Sequence, residues 1–196
     1  MYKNLTIKVI GIAPLIMHNG QTADPLNKYA KALREISGKR KKTEADFLEM
    51  ARIEFMAGLY MDQEGPVVPS RMIEATVVAG ARKSKLGKLA EAGVVVEHHA
   101  QLDYPGPRTA EALFQLAEFR LALPVRVGQV RVIRTRPIFT TWSAAIELSF
   151  LDDVINERDL KTAFRSAGAY AGFGDWRPRY GRFALASDVE VSRAAE

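Results

Sequence analysis

Aromatic and arginine side chains are interleaved in the glycine-rich stretch 168–183, which makes this stretch the best suited to contact another molecule. Trp176 and Tyr180 offer flat faces on which nucleobases can stack, and the glycines allow close approach of a second chain. This combination predicts recognition of single-stranded nucleic acid. The alternative is a turn whose Trp and Phe side chains pack in the core. The arginines that add charge and planar stacking surfaces are Arg177, Arg179 and Arg182.

A second candidate segment is the predicted helix that follows Pro69. Ser70 is its predicted cap, and the free N–H groups at a helix start can bind a phosphate. Arg71 falls in the first turn, where a positive charge is unfavourable because it opposes the helix dipole. A bound phosphate would explain an arginine at this position, and simple exposure to solvent is the alternative explanation. The far end carries a basic cluster that either suits the negative end of the dipole or contacts phosphates. It consists of Arg82, Lys83, Lys85 and Lys88.

Basic residues are clustered in several parts of the chain, whereas the acidic residues are scattered. Lys and Arg total 28 against 23 Asp and Glu, which gives a formal charge of +5. Clustered positive charge on a balanced composition is typical of phosphate binding, and solvated basic loops are the alternative for any one cluster. A further basic stretch covers 126–136. A secondary basic loop consists of Lys39, Arg40, Lys41 and Lys42.

His18, in the turn-rich segment 14–20, is the candidate acid–base residue of the chain. No partner acid or base lies close to it in sequence, so a hydrogen-bonding surface histidine is the alternative. His98 and His99 are adjacent and would face opposite sides of a strand, where they cannot easily bind one metal. The sequence has no cysteine, HExxH motif, Walker loop or GxSxG motif, and we therefore expect neither a metal nor a cofactor.

Hydrophobic periodicity divides the chain into strands and helices whose order predicts an α+β fold. The second half runs strand, strand, helix, strand, and the first half opens with a strand and then helices. This order predicts a ferredoxin-like or modified RNA-recognition-motif fold with inserted helices and a β-hairpin. The strands are predicted near 5–10, 94–104, 120–127, 130–136, 142–151 and 182–191, and the helices near 24–37, 43–59, 70–81, 110–117 and 157–170.

The bulk composition predicts one soluble domain over 1–196, with insertions around 21–65 and 93–127. The chain has 196 residues and 47% hydrophobic content, enough for one core of ordinary size. No apolar run approaches the roughly 20 residues that span a bilayer, and the opening residues lack the layout of a signal peptide. The absence of cysteine suits a reducing compartment. We therefore expect a cytoplasmic protein without membrane association.

Three separated segments resemble the RAMP superfamily of RNA-recognition-motif-like proteins, which includes backbone subunits of CRISPR effector complexes and crRNA-processing endoribonucleases. Residues 13–18 resemble its first strand running into a Pro-Leu turn, 68–74 the start of its first conserved helix, and 172–183 the glycine-rich loop before its last strand. The chain is also similar to uncharacterised phage and prophage proteins, which would place it in the host cytoplasm. The resemblance implies copies stacked along a nucleic-acid strand, with the first helix and the glycine loop touching its backbone.

These patterns together predict a protein that binds single-stranded RNA or DNA, assembles as a homo-oligomer or filament along the strand, and is not an enzyme. One alternative is a metal-independent endoribonuclease in which His18 is catalytic. Another is a phage assembly or host-interaction protein with no nucleic-acid role, whose basic clusters would face acidic partners.

Overall fold

Residues 1–188 are described by a computed structural model, and they form nine strands and six α-helices. The strands are β1 (Tyr2–Gly11), β2 (Leu15–Ile16), β3 (Val67–Val68), β4 (Val94–Val95), β5 (Ala100–Asp103), β6 (Arg120–Val127), β7 (Val130–Phe139), β8 (Ser143–Leu151) and β9 (Phe183–Leu185). The helices are α1 (Lys28–Ser37), α2 (Glu44–Gly58), α3 (Ser70–Ala81), α4 (Gly87–Gly93), α5 (Ala110–Gln115) and α6 (Glu157–Tyr170). Within this described part, no helix has the length and apolar character needed to cross a membrane.

The main sheet is antiparallel and has the strand order β3-β5-β8-β1-β9, with β4 paired to β8. Strand β1 lies between β8 and β9 and is antiparallel to both, with Ile7 opposite Ile146. Helix α3 precedes β5, and helix α6 connects β8 to β9. The strands β1, β5, β8 and β9 with the helices α3 and α6 thus follow the βαββαβ order of the ferredoxin-like fold. The predicted α+β, ferredoxin-like fold is confirmed.

The two faces of the main sheet differ sharply in composition. Alternate residues of β1 and β8, such as Ile7 and Ile146, are buried in the hydrophobic core with Ile73 of α3 and Phe164 of α6. The opposite face is open along the middle of β1 and β8, and its side chains there are small, polar or singly charged. They are Asn4, Thr6, Lys8, Ala145, Glu147 and Ser149.

A smaller sheet with the order β2-β7-β6 lies beside the main one. Strand β2 follows directly after β1, so it ties the two sheets together, and the amide of Met17 donates to the carbonyl of Pro137 at 3.0 Å. Helix α2 packs against β7. The indole of the buried Trp142, between β7 and β8, donates to the Ala13 carbonyl at 2.9 Å. The segment that follows β1 is therefore hydrogen-bonded both to strand β7 and to the side chain of Trp142.

Several local predictions are confirmed at the level of single residues. Thr43 caps α2 in a reciprocal capping box with Asp46. Thr109 caps α5, and the hairpin β6–β7 turns at Gly128 and Gln129, where Gly128 has a φ of +61°. Helix α6 spans the predicted residues.

Other boundaries differ from the predicted ones. Helix α1 begins at Lys28, because Asn27 supplies the cap to Tyr29, whereas the Asp24 side chain accepts from Leu26 in a preceding turn. Ser70 is the first residue of α3, and its hydroxyl makes no capping hydrogen bond. The predicted strand 94–104 is divided into β4 and β5. Strand β9 ends at Leu185, and the last residues predicted for it, 189–191, lie outside the described part of the chain.

Helices α3 and α6 approach each other closely at Gly80, which is buried. A Cβ atom at this position would lie 2.2 Å from the carbonyl oxygen of Ala163 and 2.5 Å from the amide nitrogen of Ala167. Both neighbours are backbone atoms of α6. They cannot move away from the added Cβ without disturbing the hydrogen bonds of that helix. Glycine at position 80 therefore sets the distance between the two helices that cover the sheet.

We expect Gly80→Ala to lower the free energy of unfolding, by about 1–2 kcal/mol. Overpacking in a core costs about 1–3 kcal/mol, and the better helix propensity of alanine returns up to about 1 kcal/mol. Urea denaturation followed by circular dichroism measures the change. The matched control is Gly20→Ala, because a Cβ at Gly20 has no atom within 4 Å. Equal stabilities of the two variants would contradict the packing argument.

Candidate nucleic-acid interface

The glycine-rich loop 171–182 connects α6 to β9 and closes on itself through its backbone. The amide of Phe173 donates to the carbonyl of Gly181 at 2.9 Å. The rings of Phe173 and Phe183 are buried and stacked, with centroids 4.6 Å apart. These two phenylalanines pack in the core, as the alternative reading of the stretch predicts for part of its aromatic residues.

The loop is joined to the segment that follows β1 by two backbone hydrogen bonds. The amide of Gly181 donates to the carbonyl of Pro14 at 2.8 Å, and the amide of Asp175 donates to the carbonyl of Ile16 at 2.8 Å. Gly174 has a φ of +77°, and a Cβ there would lie 2.2 Å from the Ile16 oxygen. Glycine is required at this position by both its conformation and the close approach.

Helix α3 contacts the same loop from the other side. The amide of Gly174 donates to the sulfur of Met72 at 3.2 Å, and the hydroxyl of Thr76 donates to the carbonyl of Gly172 at 3.4 Å. The three segments that carry the resemblance, residues 13–18, 68–74 and 172–183, therefore meet at one place in the fold.

The predicted stacking and phosphate-binding residues of the loop reach solvent. Trp176 is 39% exposed, with its ring centroid 6.0 Å from that of the half-buried Tyr180. Trp176 also has a φ of +54°, a conformation that residues with a side chain rarely adopt and that is found preferentially at functional sites. Arg177, Arg179 and Arg182 are exposed.

The basic cluster at the end of α3 is connected to this loop by Tyr170, the last residue of α6. Tyr170 is 64% exposed, and the Lys83 ammonium lies 5.3 Å from the centroid of its ring. Tyr170 also lines an open cavity of about 480 Å³ together with Trp176 and Arg177. Arg82, Lys85 and Lys88 are exposed nearby in sequence. We call the surface formed by Lys83, Tyr170, Trp176 and Arg177 the loop surface.

Two of the predicted basic sites are placed differently. Arg71 is exposed next to Met72, but the first amide of α3, that of Ser70, already donates to the ring nitrogen Nδ1 of His99 at 3.2 Å. One of the N–H groups expected to bind a phosphate is thus occupied by a side chain.

The secondary basic loop, Lys39, Arg40, Lys41 and Lys42, makes its described contacts with its own segment. The Lys39 ammonium lies 2.5 Å from the carboxylate of Asp46, and that of Lys42 donates to the Lys39 carbonyl at 3.0 Å. Lys42 lines a separate apolar groove with Phe47 and Ile133.

His18 has a partner that its sequence neighbourhood does not reveal. Its Nδ1 lies 3.3 Å from the Asp175 carboxylate, and the same carboxylate oxygen lies 3.8 Å from Nε of Arg136. The hydroxyl of Tyr60 donates to the His18 carbonyl at 3.0 Å. Burial and the Arg136 charge lower the pKa of His18, against a smaller raising effect of Asp175. The imidazole is therefore mostly neutral at pH 7, with the Asp175 carboxylate beside it.

Asp175, Arg136 and Tyr170 are the site residues that sequence reasoning missed. Asp175 is the acidic residue within the glycine-rich stretch, and Arg136 closes the basic stretch 126–136, so both lay inside noted segments. Tyr170 also lies in the glycine-rich stretch 168–183, at the end of the predicted helix, but it was not singled out with Trp176 and Tyr180. In the described part of the chain, no three His, Asp or Glu side chains are grouped so that they could hold a metal ion.

Fold and site together define an α+β protein of ferredoxin-like topology with a basic, aromatic loop surface. No protein-family model matches the chain, and a comparison with curated proteins finds no match. The crystal structure of Cmr6 from Pyrococcus furiosus is similar over 94% of this chain and 99% of that protein, with 10% sequence identity and a TM-score of 0.42. A likeness this distant assigns the chain to no family.

The surroundings of His18 lead to a titration prediction. We expect the pKa of His18 to lie below 6.5, to fall further in Asp175→Asn and to rise in Arg136→Gln, since the carboxylate favours the imidazolium and the guanidinium opposes it. The unfolded chain would then protonate first as the pH drops below about 6.5, so His18 makes folding less favourable on acidification.

The titration is followed by NMR of the three histidine rings, assigned with a His18→Gln variant. The rings of His98 and His99 serve as internal references, because neither lies next to Asp175 or Arg136. A His18 pKa at or above 6.5 in the unaltered protein, or a rise in Asp175→Asn, would contradict the assigned environment.

Proposed function

We propose that this protein binds single-stranded nucleic acid at the loop surface. The observation that carries the proposal is that two exposed rings, Tyr170 and Trp176, line one open cavity with Arg177, while the Lys83 ammonium lies over the Tyr170 ring. Rings of this kind stack on any base, while the cations neutralise phosphates, and together they give sequence-tolerant binding of an unpaired strand.

The open face of the main sheet is a poorer candidate for this role. RNA-recognition motifs stack bases on aromatic residues of the sheet. Here the middle of that face carries Asn4, Thr6, Ala145 and Ser149, together with one lysine, Lys8, and one glutamate, Glu147. Neither stacking surface nor excess positive charge is available there, so the strand is proposed to cross the loops at the end of the sheet.

Assembly in several copies along one strand is part of the proposal, and it rests on the resemblance of residues 13–18, 68–74 and 172–183 described above. Sedimentation of the protein with oligonucleotides of increasing length tests it. One protein per strand at every length would contradict assembly without touching the loop surface.

Binding is measured by fluorescence anisotropy with labelled single-stranded RNA, single-stranded DNA and duplex DNA at several salt concentrations. We expect tight, salt-dependent binding to a single-stranded species. Trp176→Ala should weaken it by about 1–3 kcal/mol, the value typical of one base stacked on an aromatic residue. Absence of binding to all three at low salt would refute the proposal and direct attention to a protein partner.

The contribution of the loop arginines is tested separately. We expect the double change Arg177→Ala and Arg179→Ala to weaken binding and to reduce the slope of log affinity against log salt by about 1.4, since each phosphate contact on a single strand contributes about 0.7. Arg158→Ala is the matched control, because Arg158 is exposed in the first turn of α6, at the opposite end of that helix from Tyr170. Equal slopes in the double variant and the control would rule out these arginines as phosphate contacts.

A second candidate function, metal-independent cleavage of RNA, is favoured by one observation, the Asp175 carboxylate 3.3 Å from Nδ1 of His18. A neutral imidazole oriented by a carboxylate can accept a proton from a 2′-hydroxyl. We expect any such activity to persist in EDTA and to be lost in His18→Ala. Cleavage that EDTA abolishes, or that His18→Ala retains, would exclude this mechanism.

A further inference from the structure

A second cavity, of about 260 Å³, lies between the exit from β1, helix α2 and strand β7. We call it the Arg136 cavity. On the side of β7 and the β1 exit, five of its lining side chains are polar or charged. They are His18, Asn19, Thr22, Arg134 and Arg136. Glu54 lines it from α2. Its lining thus brings several hydrogen-bond donors together, as in sites that fix the orientation of a ligand.

Arg136 is mostly buried, and its guanidinium nitrogens are open to solvent rather than bonded to an acceptor of the described residues. Its side chain is 16% exposed, and its described charged contact is the 3.8 Å approach of Nε to Asp175, which is longer than a hydrogen bond. Within residues 1–188 its guanidinium donates no hydrogen bond, although it has five N–H donors. No fully buried side-chain nitrogen or oxygen of the described residues lacks a hydrogen-bond partner, so these donors are accessible from the cavity, and partial burial lowers the pKa of Arg136.

Glu54 lines the same cavity but accepts no hydrogen bond from Arg136. One of its carboxylate oxygens accepts from Nη1 of Arg134, and the other accepts from the amide of Thr135 at 2.8 Å. Glu54 is itself 6% exposed, so both of its oxygens are held by strand β7. The donors of Arg136 and the remaining donors of Arg134 therefore face a cavity in which an oxyanion would be the matching ligand.

We propose that the Arg136 cavity binds a phosphate group of the nucleic-acid strand, with Arg136 as its principal ligand. The guanidinium presents its donors in a planar fork that matches two phosphate oxygens, and Arg134 and the Thr22 hydroxyl add donors to the same space.

The position of Asp175 connects this cavity to the loop surface. Its carboxylate touches His18 and Arg136, which line the Arg136 cavity, and Asp175 itself lines the open cavity beside Trp176. A strand with a base on Trp176 can therefore place a neighbouring phosphate at Arg136. This inference rests on the proposed binding of single strands and adds a defined phosphate subsite to it.

The charges around the cavity predict that removal of Asp175 changes phosphate binding in the opposite direction to removal of Arg136. Two arginines, Arg134 and Arg136, are balanced by two carboxylates, Glu54 and Asp175, while His18 is neutral. A phosphate entering this balanced group is repelled by Asp175. Replacing Asp175 by Asn keeps the oxygen that accepts from the Trp176 amide and removes the repelling charge. Such a change should strengthen phosphate binding, whereas loss of a purely structural ion pair would weaken the site.

The first test measures strand affinity by anisotropy with a single-stranded oligonucleotide. We expect Arg136→Gln to weaken binding about tenfold or more, and Asp175→Asn to strengthen it severalfold. Arg158→Gln is the control of equal charge change. Circular dichroism checks that each variant is folded, and the Asp175→Asn result holds even if Arg136→Gln does not fold. Strand binding that is unchanged in Arg136→Gln and weakened in Asp175→Asn would overturn the subsite while leaving the proposed function intact.

The second test separates a strand phosphate from a free one. The Nε–H signal of Arg136 is followed by NMR during addition of inorganic phosphate, with chloride at equal ionic strength as the control, and again with the oligonucleotide. We expect both phosphate and strand to shift this signal. A shift with phosphate alone, in a protein that binds no strand, would refute the strand as the source and assign the cavity to a free phosphate compound. No shift with either would overturn the proposal.

Discussion

Two backbone hydrogen bonds, from Gly181 to Pro14 and from Asp175 to Ile16, join the glycine-rich loop to the exit of the central strand. They form because Gly174 and Gly181 lack side chains; a Cβ at Gly181 would lie 1.8 Å from the Phe173 oxygen. Everything that the loop presents is placed by this junction. The rings and arginines on its outer side are fixed relative to β1, and Asp175 is held against His18 on its inner side. The glycine-rich loop thus has one defined conformation, although glycines allow the backbone many others.

Asp175 gives this loop two different surroundings. On its outer side it borders the cavity next to Trp176, and on its inner side its carboxylate contacts the neutral imidazole of His18 and the guanidinium of Arg136. A carboxylate in this position limits the positive potential that clustered basic residues would otherwise produce. The electrostatic potential at the loop surface and the charge state of the inner group therefore both depend on one side chain, that of Asp175.

Sequence patterns predicted the parts of this protein that depend on local chemistry. The ferredoxin-like order followed from the hydrophobic periodicity and from the glycine and proline positions, and Trp176, Arg177 and Arg179 were chosen as candidate binding residues because they are neighbours in the chain. The pairing of His18 with Asp175 could not be predicted, since it requires the loop to fold back on the β1 exit. The contact of Tyr170 with Lys83 of the basic cluster could not be predicted either, since it depends on the packing of α3 on α6. The cap of α1 was misplaced because Asp24 and Asn27 are equally good capping residues, and tertiary context chose Asn27.

The central position of β1 also has a consequence for how the chain folds during synthesis. Ile10 pairs with Ser143 and with Ala184, so the strand made first must wait for both of its neighbours. At a ribosomal rate of 5–20 residues per second, the wait for the first neighbour lasts roughly 7–27 s. During that time β1 has two unpaired edges, and the loop junction cannot form on any nascent chain shorter than Gly181. A truncated or stalled chain would therefore be without its candidate binding surface and open to strand-mediated aggregation.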